Sequence, residues 1–347
     1  MTRVAVFFVA SPLHYLAARR VALEHEPDAR RILVYYNRVL EPVVRSTDWD
    51  ATLYIPWPRF DPLPGPFGRH RRLLENLRRV AAAVGRAHTL VLHSPVFDTE
   101  AINYFLRALP RMTGASAMLA RILPDGLLNV QRYPLSLVRR GAQWLRGFRR
   151  LASPMLDYSR FSGDRIGSDA PFVDRIYVLA GFPHRYDPQR TVTLGPLVEV
   201  ASGEGPAPAR VQQPVPRALV IGQPLVGVGM MDEAARSAVS GAIAAWLAEE
   251  FGGPVDYKAH PREVGRHEMR EPHYQLLEID EPIESYLART PYAVVVGCCS
   301  TALFLARQIY GPDARIAAFG LDSVHFKGEG KRENTLSLMR EFAIEIH

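Results

Sequence analysis

The sequence predicts an α/β protein made of two doubly wound, Rossmann-like domains, and three observations lead there. Short apolar runs alternate with helix-length amphipathic segments along nearly the whole chain, the mark of parallel βαβ units. The alternation is interrupted once, over 198–216, where Val200-Ala-Ser-Gly-Glu-Gly-Pro-Ala-Pro-Ala209 and Gln212-Gln-Pro-Val-Pro216 read as a linker. The 347 residues also suit about two domains at roughly 100–200 residues each. The domains are expected at 1–197 and 217–347, facing a central cleft. Ligands should bind where strands end at their carboxyl termini.

The elements follow in order. Val4–Ala10 is apolar throughout and reads as a central strand; Ser11 caps the helix that follows, with Pro12 at its first position. Strands are expected at 32–36 and 52–55. A helix is expected over 69–84, where Leu73, Leu74, Leu77, Val80 and Ala81 recur at helical spacing. A strand at 89–93, a helix at 99–109, a strand at the end of 115–123, and strands at 176–179 and 191–194 complete the first half. The second half restarts with a strand at 218–221. It continues with helix 233–250, strand 255–258, a strand near 276–279, helix 283–290, strand 292–296, helix 301–310, strand 315–319 and a last helix near 333–342.

Composition narrows the function classes. Hydrophobic residues make up 48% of the chain, which excludes general disorder. The two cysteines, adjacent at Cys298 and Cys299, exclude a disulfide scaffold and a multi-cysteine zinc site and fit a reducing cytoplasm. The longest uncharged run, 290–306, is broken by Pro291, Gly297, Ser300 and Thr301 and falls short of the roughly 20 residues a membrane span needs. The apolar start is preceded only by Arg3 and lacks a clear cleavage site, so it reads as a first strand rather than a signal peptide. The net charge of +6 hides an asymmetry. Residues 1–195 hold 28 Arg and Lys against 16 Asp and Glu, a surplus of +12, and the remainder is −6. The first half is therefore expected to meet something anionic.

Four post-strand segments carry chemistry. In Leu123-Pro-Asp125-Gly126-Leu-Leu-Asn129, a carboxylate on a tight turn could act as a general base; an Asp-Gly pair is also an ordinary turn signal. In Tyr257-Lys-Ala-His260-Pro261-Arg262-Glu263, His260 could donate to a phosphate, or simply pack in a loop. In Gly297-Cys-Cys-Ser300-Thr301, two hydroxyls open a helix whose N-terminus suits a phosphate, though Ser300 could merely cap it. Glu284, at the start of another helix, could accept from ribose hydroxyls or only complement the helix dipole.

Asp125-Gly126, His260-Pro261 and Ser300-Thr301, in that order, resemble the acid-acid-Gly, His-Pro and Ser/Ser-Thr motifs of bacterial sialyltransferases, in particular the lipooligosaccharide sialyltransferases and capsular polysialyltransferases. Ser11-Pro12-Leu13-His14 and Ile221-Gly222-Gln223-Pro224-Leu225 resemble further segments of these families, so the likeness spans roughly 4–305. The resemblance implies a GT-B fold, a CMP-activated sialic acid or related nonulosonate as donor, and inverting transfer to a surface glycan with no cofactor and no required metal. It implies Asp125 as general base and His260 as the group assisting the departing CMP phosphate. Ser300, Thr301, Pro261, Gly222, Gln223 and Glu284 would contact the donor; Ser11, His14, Gly126 and Asn129 would face the acceptor. One departure stands out: Pro124 replaces the first acid of the acid-acid-Gly motif. Other readings are a transferase using CMP-Kdo, a CDP-polyol phosphotransferase, and a catalytically silent glycan-binding protein.

The segment 137–151 mixes Arg139, Arg140, Arg146, Arg149 and Arg150 with Trp144, Leu145, Phe148 and Leu151. It reads as a basic amphipathic helix, either lying on an anionic membrane or packing its apolar side on its own domain. The expected location is cytoplasmic, with peripheral contact at the inner membrane. The expected partners are a CMP-sugar and an anionic glycan or glycolipid. No nucleic-acid-binding pattern is present.

Overall fold

The computed structural model describes residues 2–125, 132, 134–195, 197, 215–260, 262–263, 266–279, 281, 283–326 and 330–347, with Glu284 described in its backbone only. The chain divides into two compact units, Met1–Leu197 and Val198–His347.

The first unit holds β1 (Arg3–Val9), α1 (Pro12–His25), β2 (Arg30–Tyr35), β3 (Ala51–Tyr54), α2 (Gly68–Val84), β4 (Thr89–Ser94), α3 (Glu100–Asn103), α4 (Phe105–Thr113), β5 (Ala117–Ile122), α5 (Leu137–Gly147), a 3₁₀ turn (Phe148–Leu151), β6 (Val173–Leu179) and β7 (Thr191–Leu194). Its strands pair in parallel in the order β3-β2-β1-β4-β5-β6-β7. β1 is central and covered on both faces, so every residue from Val4 to Val9 is buried and the strand carries no polar alternation. Val6, Phe8, Leu92, Leu77, Val80 and Phe105 belong to the core beside this sheet.

The second unit repeats the plan with β8 (Ala218–Ile221), α6 (Glu233–Glu250), β9 (Val255–Lys258), β10 (Gln275–Leu276), α7 (Ile283–Leu287), β11 (Val294–Gly297), α8 (Thr301–Tyr310), β12 (Arg315–Ala318), α9 (Lys331–Glu341) and β13 (Glu345–Ile346). The order β10-β9-β8-β11-β12-β13 is again parallel, with Val220, Ile243, Tyr257, Val296 and Phe319 in its core. In both units the chain winds outward from the first strand and then reverses. The reversal lies between β1 and β4 in one unit and between β8 and β11 in the other. Such switch points are where doubly wound sheets bind ligands.

Several expectations shift. The helix expected at 99–109 is two helices joined at Tyr104, running on to Thr113, and Gly114 ends it in the left-handed region (φ 73°). The strand near 276–279 is reduced to Gln275–Leu276, and a terminal strand, β13, was not foreseen. The expected linker lies outside the described residues except at its last two positions. The basic segment is helical, and of its two expected orientations the one that packs the apolar side on its own domain is corrected. Arg139, Arg146 and Arg149 face inward onto the buried acids Asp98 and Glu100, and the apolar side chains face solvent. Two carboxylates withdrawn from water need cationic partners, and this helix supplies them.

Candidate active site

In the first unit, Ser11 follows β1 and caps α1, its Oγ accepting from the His14 backbone N–H at 3.2 Å. The cap holds the first turn of α1 beside the strand end, where the Ala10 N–H donates to His14 Nδ1 at 3.3 Å. With Nδ1 acting as acceptor, the ring proton sits on Nε2, and Nε2 donates to Asp125 Oδ1 at 2.7 Å. Asp125 follows β5, so the contact spans the sheet from the end of β1 past β4. The His14 side chain is 8% exposed and that of Asp125 25%, which makes a nearly buried donor holding a reachable carboxylate. Pro124 is buried, so the first position of the motif packs into the unit while the second carries the carboxylate. Burial first and then the Asp125 charge push the Tyr36 phenol up; at Tyr186 burial and Asp164 lead, with Arg132 opposing and Asp125 adding to the rise. Gly126 and Asn129 lie outside the described residues.

In the second unit, three candidate segments leave the carboxyl ends of three neighbouring strands, β9, β8 and β11. Gly222 follows β8 and donates its N–H to the Lys258 carbonyl at 2.8 Å. A Cβ at Gly222 would stand 2.4 Å from Tyr257 Oη and 2.5 Å from Glu263 Oε2, so only glycine fits this close approach. The Gln223 side chain bridges the switch point. Its Oε1 accepts from the N–H groups of Cys298 (3.2 Å) and Cys299 (2.9 Å), fixing the turn that leads into α8. At that helix start Ser300 Oγ accepts from the Ala302 N–H at 3.2 Å, so Ser300 caps α8 and Thr301 opens it.

His260 follows β9 in a loop organised by Glu263. Glu263 Oε2 accepts from the His260 N–H at 2.7 Å, and Oε1 accepts from Tyr257 Oη at 2.8 Å and the Glu268 N–H at 2.9 Å. The Arg262 N–H donates to His260 Nδ1 at 3.0 Å, which again places the ring proton on Nε2. Burial first, then the Arg262 and Lys258 charges, lower the His260 pKa, so the ring stays neutral in neutral solution and Nε2–H serves as a hydrogen-bond donor. Pro261 lies outside the described residues, and Glu284 is placed only as a backbone position in α7.

The sheet thus gathers Gly222, Gln223, His260, Ser300 and Thr301 around one switch point, and in the other unit Ser11, His14 and Asp125 around another. Sequence reasoning missed Glu263 and Glu268 as organisers. Glu268 accepts from the Val226 and Gly227 N–H groups at 2.7 and 3.0 Å, tying the loop after Gly222 to the His260 loop. Glu263, three residues after His260, was the available signal. Among the described residues, no group of three or more His, Cys, Asp or Glu could hold a metal ion. No described helix is long and apolar enough to cross a membrane.

Residues 205–316, about a third of the chain and all within the second unit, match the family described as alpha-2,8-polysialyltransferase (POLYST). The likeness to that family is confined to this stretch of the second unit. The matched region contains every donor-side candidate from Gly222 to Thr301. The two-unit α/β fold of the chain is similar to that of solved GT-B structures. An alpha/beta-galactoside alpha-2,3-sialyltransferase from Photobacterium phosphoreum superimposes with a TM-score of 0.57 at 11% identity, covering 100% of this chain and 98% of that one. A UDP-glucosyltransferase from Polygonum tinctorium gives 0.52 at 13% identity, covering 99% and 85%. A UDP-N-acetylglucosamine 2-epimerase candidate from Listeria monocytogenes gives 0.51 at 13%, covering 99% and 88%. At these identities the likeness is one of fold. No curated protein matches the chain.

Proposed function

We propose that the chain moves sialic acid, or a related nonulosonate, from a CMP-activated donor to a surface glycan acceptor with inversion. Asp125 takes the proton of the acceptor hydroxyl while His14 holds its carboxylate in place. The acceptor oxygen then bonds to the anomeric carbon as the bond from that carbon to the CMP phosphate oxygen breaks. His260 Nε2–H donates to the departing phosphate, and the start of α8 with Ser300 and Thr301 holds it, in the manner of an anion at a helix N-terminus. The donor backbone turn comes from Gly222 and Gln223, and Glu284 is the residue assigned to the ribose hydroxyls. On this reading hydrogen-bond donors and the helix N-terminus stabilise the charge of the leaving group, and transfer needs no metal. The acceptor is an anionic glycan or glycolipid, and the protein meets the inner membrane peripherally through 137–151.

One observation carries the reading: Gly222, Gln223, His260, Ser300 and Thr301 follow adjacent strands at a switch point, inside the region that matches the polysialyltransferase family. The test is a donor panel of CMP-N-acetylneuraminate, CMP-Kdo and CDP-glycerol with a sialylated oligosaccharide acceptor, read by mass spectrometry. CMP release together with an acceptor heavier by one nonulosonate is expected. Gain of Kdo, or of a glycerol phosphate, would move the assignment to another transferase. CMP binding with no product from any donor would make the chain a glycan-binding protein.

A further inference from the structure

The helix α5 and the 3₁₀ turn after it are built inside out. Arg139, Gln143 and Arg146 fall on one stripe, four and three residues apart, and all three reach Asp98. Arg139 Nη1 donates to Oδ2 at 2.8 Å, Gln143 Nε2 donates to Oδ1 at 3.0 Å, and Arg146 Nη1 stands 3.7 Å from Oδ1. Arg149 continues the stripe and pairs with Glu100. Both acids are over nine-tenths buried. The polar stripe thus docks the helix, and the apolar residues are left outside. Leu137 is 82% exposed, Val138 83%, Leu145 62% and Leu151 81%, with Trp144 and Phe148 beside them at 52% and 47%. Scattered exposed apolar residues are ordinary, but a run of six along one 15-residue segment marks a surface that meets something.

The rim names the occupant. Arg140, Arg150 and Arg160 are exposed and, among the described residues, have no ion pair with a carboxylate. Arg150 and Arg160 line a cavity of about 160 Å³ together with Arg107, Asp157, Trp144 and Phe148, so cationic groups border the aromatic ones. The whole half of the chain is +12. A second copy would bring the same arginines against these, like charge against like. An anionic surface complements them.

We propose that 137–151 is an interfacial anchor. Its exposed apolar face enters the headgroup layer of an anionic bilayer, and Arg140, Arg150 and Arg160 sit on lipid phosphates. This deepens the peripheral-contact reading above and does not depend on the donor sugar. Binding is led by apolar insertion, so it should survive salt better than a contact made by charge alone. The test is flotation of the full chain with vesicles of phosphatidylglycerol and phosphatidylcholine. Wild type should float and should remain largely bound in about 1 M NaCl, where the Debye length is about 3 Å. The variant Trp144→Ser/Leu145→Ser/Leu151→Ser should lose at least about tenfold in vesicle affinity. These side chains are exposed, so its circular dichroism and melting should match wild type. Arg140→Gln/Arg150→Gln/Arg160→Gln should lose severalfold on anionic vesicles only. Full flotation of the apolar variant with loss in the arginine variant would overturn the anchor and leave an electrostatic peripheral contact. Absence of wild-type flotation would remove the peripheral contact as well. A wild-type dimer in sedimentation, dissolved by the apolar variant, with no vesicle binding, would show the face to be an interface between copies and overturn the proposal.

Discussion

His14 and Asp125 stand 111 residues apart in the chain and 2.7 Å apart in the fold. Each was visible in the sequence as a separate post-strand residue, but their contact was not, because it depends on the order of β1, β4 and β5 across the sheet. The pairing also divides their roles. Asp125 is the reachable carboxylate and His14 the buried donor that orients it. We expect Asp125→Asn to cut transfer by about 10²-fold or more, the usual range for a lost general base, and to leave CMP affinity near wild type, since the CMP candidates lie in the other unit. His14→Gln should cost less, about tenfold, because an amide can still donate to Oδ1, and His14→Ala should approach the Asp125 variant. Steady-state rates beside CMP calorimetry check this. Near-normal turnover in Asp125→Asn would remove the base assignment, and equal rates in the two His14 variants would remove the orienting role.

At the scale of elements, most of the strand and helix order was readable because both sheets are parallel and their buried strands are short apolar runs, as in 4–9 and 294–296. Orientation was harder. The helix at 137–151 has the composition of a basic amphipathic helix, yet which side faces inward was decided by Asp98 and Glu100 some forty residues earlier. The loop after β9 shows the same dependence on context. His260 stands out by its chemistry, whereas the organising role of Glu263 rests on contacts of its carboxylate with His260, Tyr257 and Glu268 that the spacing alone does not reveal. Bonds to a carboxylate contribute about 1.5–3 kcal/mol each, and an amide would turn one donor against an N–H or O–H donor. Glu263→Gln should therefore loosen the His260 loop and weaken CMP binding by roughly 10- to 100-fold. Transfer at saturating donor should fall less. Calorimetry and kcat with far-ultraviolet circular dichroism separate this from unfolding. Unchanged CMP affinity in a folded Glu263→Gln protein would mean that His260 is held by other contacts.

The two units have separate cores, built on separate sheets with the same winding order, and their charges have opposite sign. The division was legible in the sequence because alternation stops and restarts, and because 198–216 is rich in Gly and Pro. Separate cores allow separate stabilities, so a ligand that binds one unit should stabilise that unit first. By mass action, CMP at about 100 times its Kd adds about 2.7 kcal/mol to whichever unit holds it. Hydrogen exchange on the full chain with and without CMP should therefore show slowing at 218–223, 255–263 and 294–305. The strand ends at 9–14 and 120–125 should change little. Scanning calorimetry should show the matching upward shift in one of two overlapping transitions. Slowing centred on 9–14 and 120–125 would reverse the roles of the two units, putting the nucleotide on the basic half. That outcome would also give the +12 a different meaning, as attraction for the donor phosphate in place of an anionic acceptor or lipid surface.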